Sequence, residues 1–162
     1  MTKLVIVSDI HGAIGRLKRM LEQEPDLDYL IFLGDGERDM SQIKDLVPQR
    51  KVYSVRGNCD YLGESPLEGL AAFDGVLFFY THGHSYRVKY DLDYFTSVVQ
   101  SRGADVGLFG HTHTPLVMNE EFHDLPTLFN PGSLGFGASY GVILCDKGKV
   151  SFSHRHVKGS YL

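Results

Sequence analysis

Cysteine is scarce in this chain: Cys59 and Cys145 are the only two in 162 residues. That is too few for a disulfide framework, and it suits a thiol-tolerant compartment such as the cytoplasm. One bridge between the two is the most the chain could form. Long apolar runs are missing as well. Met1-Thr2-Lys3 leads directly into the short stretch Leu4 to Val7, far shorter than a membrane span or a signal-peptide core. A soluble cytoplasmic protein with no membrane partner is therefore expected. No basic excess exists: 16 lysines and arginines face 20 acidic residues, a formal charge of −4. That balance, with no basic segment, argues against a large nucleic acid as partner. Nor is there a linker, a low-complexity tract or an internal repeat. With 43% hydrophobic residues, the chain suits one compact domain spanning residues 1–162.

What is present is a recurrence. Five short apolar runs each end in glycine, aspartate, asparagine or histidine. Leu4 to Val7 precedes Ser8-Asp9-Ile10-His11, Tyr29 to Leu33 precedes Gly34-Asp35, and Val52 to Val55 precedes Gly57-Asn58. Val76 to Tyr80 then leads into Thr81-His82-Gly83-His84, and Val106 to Phe109 into Gly110-His111-Thr112-His113. Such runs suit strands buried on both faces of a layered sheet. Between them, Ile14, Leu17, Met20 and Leu21, then Met40, Ile43 and Leu46, then Leu92, Phe95, Val98 and Val99 follow a helical period. Strands alternating with helices imply an α/β fold. After about residue 115 the pattern turns to strands at Thr127 to Phe129, Tyr140 to Cys145 and Lys149 to Ser153, with Asp146-Lys147-Gly148 as a hairpin signal.

In an open α/β sheet the functional crevice lies beyond the carboxyl ends of the strands, where all five polar groups fall. Asp9 and His11 stand two apart, as do His111 and His113. If the strands run on through them, each pair projects from one face. Aspartate oxygens, an asparagine oxygen and several imidazoles are too many ligands for a four-coordinate structural zinc. Two ions of higher coordination fit better, with a carboxylate, taken as Asp35, providing one oxygen to each. Mixed oxygen and imidazole donors suit Mn²⁺, Zn²⁺, Fe²⁺ or Ni²⁺, with Mg²⁺ less favoured.

The set Asp9-x-His11, Gly34-Asp35, Gly57-Asn58, His82 and Gly110-His111-x-His113, in that order, resembles the calcineurin-like metallophosphoesterase family. Within it, the small YfcE-type phosphodiesterases are the nearest match, and Asn130-Pro131-Gly132-Ser133 also looks like that subgroup's late motif. The resemblance spans roughly residues 4 to 133. It implies a four-layer αββα sandwich, two mixed sheets flanked by helices. It also implies that Asp9, His11, Asp35 and His113 surround one ion, while Asp35, Asn58, His82 and His111 surround the other. Hydrolysis of a small phosphodiester by a metal-bound hydroxide is the implied activity, with Mn²⁺ the first choice of metal and a dimer or tetramer compatible with it.

One position departs from the pattern. Many family members follow Gly-Asn with a histidine that protonates the leaving oxygen; here the residue is Cys59, a poorer proton donor at neutral pH. Either the leaving group's own stability matters more, or His84 or Asp60 supplies the proton. Arg38 and Arg56 lie beside the ligand loops and are candidates for a phosphate contact or for plain surface positions. Cys145 reads as a small buried hydrophobe, and His123, His154 and His156 as surface histidines. Phe73, Phe122 and Phe136 read as core or interface. The runner-up function is a binding scaffold of the same fold, as the retromer scaffold subunit is; a complete ligand set favours the enzyme.

Overall fold

The structure, a computed structural model, describes residues 1–121 and 124–159. The expectations for Phe122 and His123 lie outside them. The chain begins with β1 (Thr2–Val7), α1 (Ile14–Gln23), β2 (Tyr29–Phe32), the one-turn α2 (Glu37–Met40) and β3 (Val52–Ser54). It continues through β4 (Glu68–Phe73), β5 (Val76–Thr81), α3 (Asp93–Ser101), β6 (Val106–Leu108), β7 (Leu116–Met118) and β8 (Thr127–Asn130). The one-turn α4 (Leu134–Gly137) precedes the closing hairpin of β9 (Ser139–Asp146) and β10 (Lys149–His156).

Two five-stranded mixed sheets result, ordered β10-β9-β1-β2-β3 and β4-β5-β6-β8-β7. The parallel trio β5-β6-β8 forms the middle of its sheet, while the parallel trio β1-β2-β3 runs out to an edge of the other. Three apolar clusters stack the layers. Leu4, Ile6, Ile31, Phe73, Phe78, Leu108 and Phe129 fill the space between the sheets. Val5, Val7 and Phe32 turn outward onto Leu17 and Met20 of α1, while Phe79 and Leu128 turn outward onto Phe95 and Val99 of α3. Adjacent residues of β1 thus serve opposite layers, which is why Leu4 to Val7 is continuously apolar. The expected four-layer αββα sandwich is what the chain forms.

Several local expectations need correction. Strand β4 has no strong sequence pattern, because Glu68-Gly69-Leu70-Ala71-Ala72 is small and half exposed. Its only clear signal is Asp74-Gly75, whose positive φ values of 48° and 84° make the two-residue hairpin into β5. Asp146-Lys147-Gly148 makes the β9–β10 turn as expected. The helix over Met40 to Leu46 shrinks to one α turn and one 3₁₀ turn, with Leu46 55% exposed. Phe73 is core and Cys145 is fully buried, its thiol pushed up to about 11 by that burial. No helix among the described residues is long and apolar enough to cross a membrane.

Candidate metal centre

All parallel strands point their carboxyl ends to one edge of the sandwich, and the loops leaving β1, β2, β3, β5 and β6 meet there. Asp9, His11, Asp35, His111 and His113 do not continue their strands. Their φ values are 55°, 46°, 61°, 68° and 64°, all left-handed. The expectation that Asp9 and His11, or His111 and His113, share one face of an extended strand is therefore wrong. β1 ends at Val7 and β6 at Leu108, and the side chains converge because a left-handed residue turns the chain back over the strand end. Such backbone is unfavourable for a residue with a Cβ and persists only where surrounding contacts impose it.

Gly34 shows what imposes it. Its φ is 101°, and a Cβ there would lie 2.6 Å from the Gly57 nitrogen and 2.7 Å from His82 Nδ1. Glycine before Asp35 is needed to let three loops meet. The Asp9 carboxylate is oriented by Ser8 Oγ–H, which donates to Oδ2 at 2.6 Å, and by the His111 N–H at 3.0 Å. Oδ1 then faces His113 Nε2 at 3.1 Å and His11 Nε2 at 3.6 Å. Asp35 is turned in the same way. The Cys59 N–H donates to its Oδ1 at 2.7 Å, leaving Oδ2 3.3 Å from His82 Nε2 and 3.8 Å from His11 Nε2.

His82 is fully buried, and its Nδ1–H donates to the Leu33 carbonyl at 2.7 Å. That bond fixes the ring, so Nε2 faces Asn58 Oδ1 at 2.9 Å and His111 Nδ1 at 3.2 Å. Burial opposes charge on His82, but the hydrogen bond to Asp35 and the charges of Asp9 and Asp35 outweigh it and raise its pKa. His111 moves the other way. Burial, then repulsion from His82, pushes it down to about 4 and keeps it neutral with a free lone pair. Asp35 stays ionised despite burial, because His82 and the Cys59 N–H hold its pKa well below the carboxylate range. These groups are mostly acceptors facing acceptors, a donor set that suits a cation at its centre. Among the described residues, three triads bring their ligand atoms within 4.8 Å of one another: Asp9, His11 and His113; Asp9, Asp35 and His82; and His11, Asp35 and Cys59. The seven side chains singled out from the sequence are thus one cluster.

The other candidates separate. Asp60 cannot serve as proton donor in this arrangement. Its Oδ2 accepts the N–H groups of Asp35 and Gly57, both at 2.8 Å, and its Oδ1 those of Gly36 and Glu37, both at 3.0 Å. A carboxylic proton would have to displace one of the four. His84 stands beside the cluster, its ring centroid 5.4 Å from that of His82, with Nδ1 buried and unpartnered among the described residues. Arg56 braces a loop by donating to the Gly63 carbonyl at 3.3 Å, whereas Arg38 is exposed. His154 is half-buried, flat against Phe129, and donates to the Asn130 carbonyl at 2.7 Å; His156 is exposed. Phe136 is 70% exposed, with its ring stacked on His113.

Sequence reasoning missed the supporting residues. Ser8 is one. Asn130 donates to the Gly110 carbonyl and to Thr112 Oγ1, each at 3.0 Å. Ser133 Oγ–H donates to the Asp9 carbonyl at 2.8 Å and accepts the Phe136 N–H at 3.0 Å. The late motif Asn130-Pro131-Gly132-Ser133 therefore ties the β1 and β6 loops together. In sequence it shows only as a motif, because its partners lie 20 and 124 positions away.

Two mixed sheets between helical layers, with carboxylates and imidazoles gathered at the strand ends, define a metallophosphoesterase fold. Residues 2–148 match the calcineurin-like phosphoesterase superfamily domain, and the chain belongs to that family. It is 31% identical to a probable metallophosphoesterase, YsnB of Bacillus subtilis, over 81% of this chain and 74% of that protein. It is also 31% identical to the phosphodiesterase YfcE of Escherichia coli, over 88% of each. Among solved structures, wild-type Vps29 of Entamoeba histolytica complexed with zinc superposes with a TM-score of 0.77 at 15% identity, over 95% of this chain and 98% of that one. The last shows the fold alone.

Proposed function

We propose that this protein is a divalent-metal-dependent phosphodiesterase that holds two ions and hydrolyses small phosphodiesters. The observation that carries the reading is the position of Asp35 Oδ2 between His11 Nε2 at 3.8 Å and His82 Nε2 at 3.3 Å. One oxygen faces both halves of the cluster, so Asp35 would be the carboxylate shared between the two ions. Asp9, His11 and His113 would complete one site and Asn58, His82 and His111 the other. Oxygen mixed with four imidazoles suits Mn²⁺, Zn²⁺, Ni²⁺ or Fe²⁺, with Mg²⁺ less favoured, and the family resemblance makes Mn²⁺ the first choice. When bound, such ions supply charge neutralisation at the phosphoryl oxygens and a water acidic enough to ionise near neutral pH.

The chain contributes orientation. Ser8 and the Cys59 and His111 N–H groups aim the carboxylates, the Leu33 carbonyl fixes the His82 tautomer, and His111 keeps its lone pair free. Among the described residues no side chain is well placed to protonate a leaving oxygen. Burial, then the charge of His82, lowers the His84 pKa, so His84 is neutral at pH 7 and suits a hydrogen bond to substrate rather than proton transfer. Burial and the adjacent Asp35 raise the Cys59 thiol. Stability of the leaving group itself would then carry the step, which favours esters with acidic alcohols.

A metal-binding scaffold is the second reading, favoured by the fold likeness to Vps29. The two separate in one experiment. Protein stripped with chelator is reloaded singly with Mn²⁺, Zn²⁺, Ni²⁺, Fe²⁺ or Mg²⁺ and assayed on bis(p-nitrophenyl) phosphate beside p-nitrophenyl phosphate. Metal-stimulated turnover of the diester, reduced by about 100-fold in Asp35→Asn and His82→Ala, supports the enzyme. Tight metal binding without turnover supports the scaffold.

A further inference from the structure

The donor cluster opens on one side into a groove of about 870 Å³. One wall is the segment 36–47 that carries α2, the other is the loop 59–65, and His11, Asp35 and Cys59 belong to both cluster and groove. That is far more room than a phosphoryl group fills, and it lies in the range of sites enclosing an organic ligand. Its inner wall is apolar, built from Met40, Ile43, Val47 and Val52. On its rim Tyr61 and Leu62 are 89% and 91% exposed. Two large apolar side chains set side by side in water, on the same loop as Asn58 and Cys59, mark a contact surface.

Charge in the groove is unevenly spent. Both oxygens of Asp60 are engaged by backbone N–H groups. Glu37 Oε1 accepts from the Glu64 N–H, the Ser65 N–H and the Ser65 hydroxyl, and Asp39 Oδ2 accepts the Gly12 N–H. Glu37 Oε2 is buried with no hydrogen-bond partner among the described residues, and Glu64 faces solvent. Arg38 and Lys44, both exposed, pair with no carboxylate among the described residues. The groove therefore offers an apolar slot that starts at the reacting centre and carries two unpaired cations on its rim.

We propose that this groove is the alcohol subsite, and that the substrate class is a phosphodiester with one planar, nucleoside-sized ester group that bears a second anion. The ring lies between the apolar wall and Tyr61 with Leu62, and the second anion meets Arg38 and Lys44. For the reacting end only, this rests on the phosphodiesterase reading. The binding test does not need turnover. Manganese-loaded protein is titrated calorimetrically with inorganic phosphate, thymidine 5′-monophosphate and thymidine 3′,5′-bisphosphate. The expected result is a gain of at least tenfold at each step. The pair Arg38→Ala and Lys44→Ala removes the second gain only, and the pair Tyr61→Ala and Leu62→Ser removes the first, while phosphate affinity stays unchanged in both. Equal affinity for the three probes, no binding of any, or gains that survive both pairs overturns the proposal. If the gains appear but no diester is turned over, the groove stands and the phosphodiesterase reading falls. If bis(p-nitrophenyl) phosphate is hydrolysed while the series is flat, the reverse holds.

Discussion

Asp60 Oδ2 accepts the backbone N–H of Asp35 at 2.8 Å across 25 positions of sequence, and it also takes the Gly57 N–H at 2.8 Å. One carboxylate thereby joins the loop that presents Asp35 to the loop that presents Asn58. Asp60→Asn keeps a single acceptor oxygen and directs an amide N–H₂ at backbone donors. We expect a loss of about 2–4 kcal/mol of stability, read by chemical denaturation, and weaker turnover. The pH–rate profile of this variant keeps its shape; loss of one limb would show that Asp60 titrates in the reaction after all.

Ser8 is fully buried, and its hydroxyl meets Asp9 Oδ2 at 2.6 Å. Ser8→Ala leaves the His111 N–H as the remaining anchor of that carboxylate. Metal affinity measured by equilibrium dialysis should fall about tenfold, as when a group that orients a ligand is removed. An unchanged affinity would mean that the backbone alone aims Asp9.

The Nδ1 bond of His82 to the Leu33 carbonyl leaves only Nε2 for the cluster. In His82→Gln the side chain keeps a donor and an acceptor but cannot hold both in the ring geometry. About 10–100-fold weaker metal binding is expected, with circular dichroism of the metal-free protein close to the parent's. Parental affinity would remove His82 from the ligand set.

Cys59 stands where the family resemblance leads one to expect a proton-donating histidine. Across aryl phosphodiesters of rising leaving-group pKa, the parent rate should fall steeply, and Cys59→His should flatten the slope. A flat series in the parent would show that a proton donor is already present.

A second buried charge lies far from the cluster. Glu24 is 1% exposed and is bonded by Lys3 at 2.6 Å, by Tyr140 OH at 2.7 Å and by Arg155 at 2.7 Å. Burial alone would raise its pKa, but these three donors outweigh it and the net shift is downward. A depressed carboxylate contributes stability that is fully present above its unfolded value, about 4.3, and lost as pH falls through the folded value. Denaturation midpoints of the parent should therefore drop below about pH 4.3, and Glu24→Gln should lose less there while being about 2–3 kcal/mol weaker at pH 7. Parallel pH curves for the two proteins would count against the network.

Much of the architecture was legible because burial on both faces forces continuous apolar runs, as in Leu4 to Val7 and Val76 to Tyr80. β4 and β7 were not, since Glu68–Phe73 is half exposed with small residues and Leu116–Met118 has only three. The order of Asp9, His11, Asp35, Asn58, His82, His111 and His113 was likewise readable, being a matter of residue type at strand ends.

The sequence by itself thus determined which donors exist and which end of the sheets they occupy. Tertiary structure decided which atom of each donor faces inward. Five of the donors, Asp9, His11, Asp35, His111 and His113, have left-handed backbone, which Asp and His adopt more readily than most residues but which the converging loops impose here. The carboxylate and imidazole edges are set largely by hydrogen bonds from other loops, such as Cys59 to Asp35 and His111 to Asp9, 24 and 102 positions apart. A string of residue types carries no record of such distances until the two sheets close on each other and bring the loops within reach.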